Sequence, residues 1–171
     1  MENSFNPVTE ALLEQAALRC AQRGAKLTEL RRHVLGLVLN SAQPSGAYEL
    51  LDRLRVLRGP AAPPTVYRAL DFLVAHGFIH RVERLAAFVG CIDEGVHGHT
   101  PGHDHAAQFL ICTQCRNVIE IEDHDIAHAL QAAAERVGFT LKRMTIEAEG
   151  LCAACSAMNP AAVSPRSTPG H

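Results

Sequence analysis

A chain of 171 residues with 47% hydrophobic and 20% charged side chains is long enough to bury a core without disulfide staples, and no apolar run approaches the roughly 20 residues of a membrane span. The net charge of −2 speaks against a uniformly basic nucleic-acid binder, yet it is unevenly spread: residues 1–84 carry 11 Lys+Arg against 8 Asp+Glu, and residues 85–171 carry 5 against 10. A basic front and an acidic back predict two domains with different tasks. The N-terminus lacks the basic start and apolar stretch of a leader, which predicts a cytoplasmic, reducing setting.

In chain order, "VTEALLEQAALRCAQRG" predicts a helix capped by Thr9 and ended by Gly24, with Leu12, Leu13, Ala16, Ala17 and Cys20 on one face. "LTELRRHVLGLVLNS" predicts a second helix, capped by Thr28, with Leu30, Val34, Leu37 and Val38 inward; Gly36 inside it costs about 1 kcal/mol against Ala. "GAYELLDRLRVLRG" gives a short third helix that buries Leu50, Leu51 and Leu54. "PPTVYRALDFLVAHG" gives a fourth, entered through Pro63 and Pro64 and ended by Gly77. The pattern then alternates through Phe78, His80, Val82 and Phe88, which predicts a β-hairpin. Helices followed by a presented helix and a hairpin make a winged helix-turn-helix, with the fourth helix in a DNA major groove and the hairpin as the wing.

Residues 92–108 read as a loop rich in Gly, His, Asp and Pro. "AQFLIC" and "NVIEIE" read as strands on either side of the CTQC turn, "HDIAHALQAAAERVG" as an amphipathic helix, and "FTLKRMTIEAEGLC" as a third strand with Leu141, Met144 and Ile146 alternating. The expected organisation is α+β: a winged-helix domain at 1–84, a hinge at 85–91, a small α/β metal-binding dimerisation domain at 92–157, and a disordered Pro/Ser/Ala-rich tail at 158–171.

Six cysteines in a reducing compartment point to metal binding rather than disulfides. Cys112-x-x-Cys115 and Cys152-x-x-Cys155 form two knuckles whose four thiolates suit a closed, tetrahedral structural zinc site. That site is then full, so the other candidates need a separate account: His80, Cys91, His97, His99, His103, His105, Glu120 and His124. A metal held by His80, Cys91, His105 and Glu120 would tie the two domains together; otherwise His80 is a surface wing residue and the loop histidines are solvated. On the fourth helix Thr65, Tyr67 and Arg68 can reach phosphates or base edges, with Tyr48 and Arg31 nearby, although Arg68 also has Asp71 as a possible ion-pair partner. No enzyme is expected: the deaminase pattern of HxE with PCxxC is absent, since no proline precedes either CxxC.

Together "CAQRGAKLT", "GAYELLDRLR", "PPTVYRALDFLVAHGFIHRVE", CTQC and "IEAEGLCAAC" resemble the ferric uptake regulator family, most closely its zinc-sensing branch, over roughly residues 8 to 155. The resemblance implies a homodimeric repressor of zinc-uptake genes on an AT-rich palindromic operator, with two zincs per chain. It implies Cys112, Cys115, Cys152 and Cys155 at the structural site and His80, Cys91, His105 and Glu120 at the regulatory site. It places Tyr48, Thr65, Tyr67 and Arg68 toward DNA, and Asp52 and Arg55 where two dimers could bridge on one operator. Iron, manganese and peroxide sensors share the family, but a Cys among nitrogen and oxygen ligands favours zinc. A third metal site, which some members carry, lacks clear counterparts here; His97, His99 and His103, with Asp104, Glu122 or His124, are the remaining candidates.

Overall fold

The computed structural model describes residues 5–91, 107–142 and 144–158. The chain divides into two compact units, Met1–His103 and Asp104–His171, and its class is α+β. No described helix is long and apolar enough to cross a membrane.

The first unit is built from α1 (Pro7–Gln22), α2 (Glu29–Leu39), β1 (Ser45–Gly46), α3 (Ala47–Arg58), α4 (Pro63–Ala75), β2 (Ile79–Val82), a 3-10 turn at Glu83–Leu85 and β3 (Ala87–Gly90). Helix α1 starts three residues earlier than a cap at Thr9 suggests. Its N-cap is Asn6, whose side chain accepts from the Thr9 N–H at 2.9 Å, and Pro7 takes the first helical position. Thr9 is instead buried within the helix. Thr28 caps α2 as expected.

Helices α1 and α4 end in the same way. A glycine at positive φ (Gly24 at 66°, Gly77 at 69°) is followed by a residue whose N–H returns to the last turn, Ala25 to Cys20 O and Phe78 to Leu73 O. The inward stripes meet in one core of Leu13, Cys20, Val34, Leu35, Leu50, Leu54, Leu70, Leu73 and their neighbours. Gly36 has a packing reason: a Cβ there would collide with the Phe5 ring, which lies against α2.

The wing is a three-stranded antiparallel sheet in the order β1-β3-β2. Two-residue β1, too short to read from periodicity, pairs Ser45 with Phe88. Residues 87–90 form the second strand of the expected hairpin, with Ile79 opposite Gly90 and His80 opposite Val89.

The second unit contains β4 (Ala107–Cys112), β5 (Val118–Ile121), α5 (His124–Arg136), β6 (Thr145–Gly150) and α6 (Ala153–Met158). Its sheet order is β5-β4-β6; β5 runs antiparallel to β4, and β6 returns parallel to it after the α5 crossover. The last strand begins at Thr145, later than the alternation from Leu141 suggests. Phe139 is used otherwise: Gly138 takes φ 70° and the Phe139 N–H closes the end of α5 on Ala134 O at 2.9 Å. Helix α6 carries Cys155 and was not expected; the tail beyond Met158 lies outside the described residues.

Loss of the Asn6 cap should show in stability. Asn6→Ala is expected to cost about 1 kcal/mol, read as a lowered denaturant midpoint for the helical signal with an unchanged slope.

Candidate functional site

Cys112 is the last residue of β4, and Cys115 closes the turn after it; Cys152 follows β6 and Cys155 lies in α6. Because β4 and β6 are parallel neighbours, with Cys112 opposite Gly150, both CxxC segments leave the sheet at the same end. The four Sγ atoms lie within 4.8 Å of one another, and those of Cys115 and Cys152 are 3.8 Å apart. A zinc ion with Zn–S bonds of about 2.3 Å needs sulfur–sulfur edges of about 3.8 Å in a tetrahedron, so the donor set fits that ion and leaves no open position for substrate.

The electrostatics of the cluster are graded. Backbone N–H groups of Cys115 and Cys152, the latter 3.4 Å from its sulfur, aim at Cys112 and bring its thiol down to about 6. At Cys115 the N–H of Asn117 pulls the other way from the neighbouring thiols and burial, and the thiol ends above its ordinary value. Burial, helped by the three other sulfurs, pushes Cys155 up to about 12.

The second set of candidates is divided between the units. In the first, the β2–β3 register brings His80 beside the residue that follows β3, and His80 Nε2 lies 3.2 Å from Cys91 Sγ. The Cys91 N–H donates to Phe78 O at 3.2 Å, which fixes the backbone under the sulfur. In the second, Glu120 stands on β5 opposite Phe109. His105 lies outside the described residues, as do His97, His99, His103 and Asp104; His124 is the exposed first residue of α5.

On α4, Thr65, Tyr67 and Arg68 all point to solvent while Val66, Ala69 and Leu70 are buried. No ion pair joins Arg68 to Asp71 among the described residues. Tyr48, in the first turn of α3, is 69% exposed. Arg31 is placed differently: its guanidinium sits 3.5 Å from the Phe72 ring centroid and donates to Lys26 O at 2.7 Å, which gives it a role in packing α2 against α4. Asp52 and Arg55 pair with each other at 3.2 Å on the exposed side of α3.

The sequence reading did not single out one surface feature of the second unit. Leu110 and Ile119, direct partners across β4 and β5, are exposed, and so are Ile126 and Leu130, one turn apart on α5. The amphipathic pattern of α5 signals this, because its apolar side buries only Ala134.

The chain is similar to known proteins in sequence and fold. The profile of the Ferric uptake regulator family matches residues 22–149. The zinc uptake regulation protein of Escherichia coli strain K12 is 41% identical over 149 residues, 86% of this chain and 82% of that protein. Its namesake in Mycobacterium tuberculosis strain H37Rv is 30% identical over 132 residues, 77% of this chain and 95% of that one. A structure of a zinc uptake regulator complexed with zinc and DNA is 40% identical with a TM-score of 0.80, covering 89% of this chain and 97% of its own. The crystal structure of holo XcZur is 42% identical with a TM-score of 0.73, covering 86% and 98%.

The graded thiols predict an ordered titration. In metal-free protein, thiolate absorbance is expected to rise in a first step near pH 6 that is missing in Cys112→Ser, with no step from Cys155 below about pH 12. A single unresolved rise near the ordinary cysteine value of about 8.5 would contradict the grading.

Proposed function

The chain belongs to the ferric uptake regulator family, and on that premise we propose that it is a zinc-responsive transcriptional regulator that binds operator DNA as a zinc-loaded homodimer and represses zinc-uptake genes. The observation that carries the zinc reading is the contact of His80 Nε2 with Cys91 Sγ at 3.2 Å. A thiolate beside an imidazole is a zinc-competent pair, whereas iron(II) and manganese(II) favour histidine and carboxylate sets. His80, Cys91, His105 and Glu120 are the four ligands of the regulatory zinc, and the four remaining CxxC cysteines hold the structural zinc, two ions per chain.

Bound zinc supplies a positive centre that joins these four side chains and neutralises the charge of Cys91 and Glu120. The chain's own residues do the rest. Tyr48, Thr65, Tyr67 and Arg68 supply hydrogen-bond donors and one positive charge on the exposed surfaces of α3 and α4. Arg31, which also engages Phe72 and Lys26, is a further DNA contact beside α4. The exposed Leu110, Ile119, Ile126 and Leu130 offer the second unit an apolar surface for a second copy. A two-fold dimer reads a palindrome, with half-sites about one helical turn apart, roughly 34 Å. Asp52 and Arg55, exposed on α3, are the residues by which a neighbouring dimer on the same operator would be met. Turning a population from 1:99 to 99:1 needs about 5.5 kcal/mol of differential zinc affinity, within reach of a four-ligand site.

The test is binding of an AT-rich palindrome with zinc and with a chelator that strips the weaker ion. Tight binding only with zinc is expected; affinity indifferent to zinc would sink the reading. Arg68→Ala is expected either to lower the salt slope by about one, as a phosphate contact, or to relax one operator position by about 1–3 kcal/mol, as a base contact.

A further inference from the structure

Between the exposed face of α4 and Cys91 lies a ladder of rings and cations. Phe72, on α4, stacks on His76 with ring centroids 3.8 Å apart, and His76 lies parallel to Phe78, 6.3 Å away with the planes 6° apart. Arg31 of α2 caps one end, 3.5 Å from the Phe72 centroid, and Arg19 of α1 caps the other, 5.1 Å from the Phe78 centroid. His76 is held in place by its ring Nδ1, 2.8 Å from Phe72 O, and by the Arg23 guanidinium, which donates to His76 O at 3.5 Å.

Phe78 joins this ladder to the candidate zinc ligand through its backbone. Its N–H closes the end of α4 on Leu73 O at 3.0 Å, and its carbonyl accepts from the Cys91 N–H at 3.2 Å. A cavity of about 40 Å³ lies beside Phe78 and Cys91, with Arg19 and Leu39 in its wall. A rotation of the Phe78 peptide therefore has space on one side and a stacked ring on the other.

We propose that His76 is a positioning residue: its ring, clamped between Phe72 and Phe78, is the strut through which the state of Cys91 biases the placement of α4. The inference rests on the zinc-responsive reading above. The physical argument is one of stiffness. The Cys91–Phe78 hydrogen bond moves the Phe78 peptide with Cys91. The close Phe72–His76 pair, centroids 3.8 Å apart and planes 29° apart, and the offset parallel His76–Phe78 pair resist tilting of Phe78 against α4, and the two arginines add cation–π attraction at both ends. Without the middle ring, Phe78 can shift into the vacated space and the connection to Phe72 is broken. Gly77 at φ 69° offers little resistance of its own.

The experiment is the ratio of operator affinities, zinc-saturated over chelated, in the full-length protein and in His76→Ala, His76→Leu and His76→Phe, with zinc per chain and far-UV helicity measured alongside. His76→Ala is expected to lower the ratio about tenfold by weakening the zinc-saturated affinity while leaving the chelated affinity unchanged. His76→Leu fills the space without a π face, is expected to lower the ratio as alanine does, and carries the test should the alanine variant unfold. His76→Phe restores the stack and is expected to recover the ratio to within about threefold. A wild-type ratio of one overturns the zinc-responsive reading, and the strut falls with it. A large wild-type ratio retained by His76→Leu overturns the strut alone, as does an equal loss in His76→Leu and His76→Phe.

Discussion

The register of one hairpin decides whether two zinc-competent side chains meet. Ile79 stands opposite Gly90 and His80 opposite Val89, and this pairing brings His80 Nε2 to Cys91 Sγ. A slip of one residue would send His80 to the opposite face of the sheet. The core holds the register by burying Ile79, Val82 and Phe88. Gly90 packs close to the Leu39 side chain, whose methyl would have to shift to admit a Cβ at that point. The winged-helix core is thus the jig for a metal half-site as well as the scaffold for α4.

On the proposed reading, the two candidate ligand sets differ in chemistry because they differ in task. Four sulfurs in a closed cluster at the common end of β4 and β6 cross-link the start and finish of the second unit. That unit's described core is small, centred on Phe109 and Ile111, so a metal bound there would add to its stability. A set of mixed sulfur, nitrogen and oxygen donors binds less permanently and can follow the supply of zinc. On the proposed reading, separating a permanent from an exchangeable ion by donor type would let one chain be both stable and responsive.

Much of this was legible in the sequence because it rests on local rules. The paired CxxC spacing, the 3.6-residue stripes, the glycines that end α1 and α4, and the shift to alternation at Phe78 all carried through to the structure. Other features depended on tertiary contact. Asn6 before Pro7 was a readable cap signal that Thr9 obscured. Gly36 looked like a weak point in a helix until Phe5 was seen packed on it. Two-residue β1 and the six-residue α6 are too short for periodicity to mark. Phe139 and Leu141 alternated like a strand, but the end of α5 claimed Phe139 first. That an aromatic ring lies beneath the Arg31 guanidinium is likewise a tertiary contact that sequence does not show.

The most direct test of the account is zinc per chain together with operator affinity in Cys91→Ser. The account predicts two zincs in the wild type and one in the variant, with the CxxC cysteines still loaded and tight DNA binding lost. A variant that kept both its second zinc and its affinity would contradict it, and would move the sensing site away from the His80–Cys91 pair.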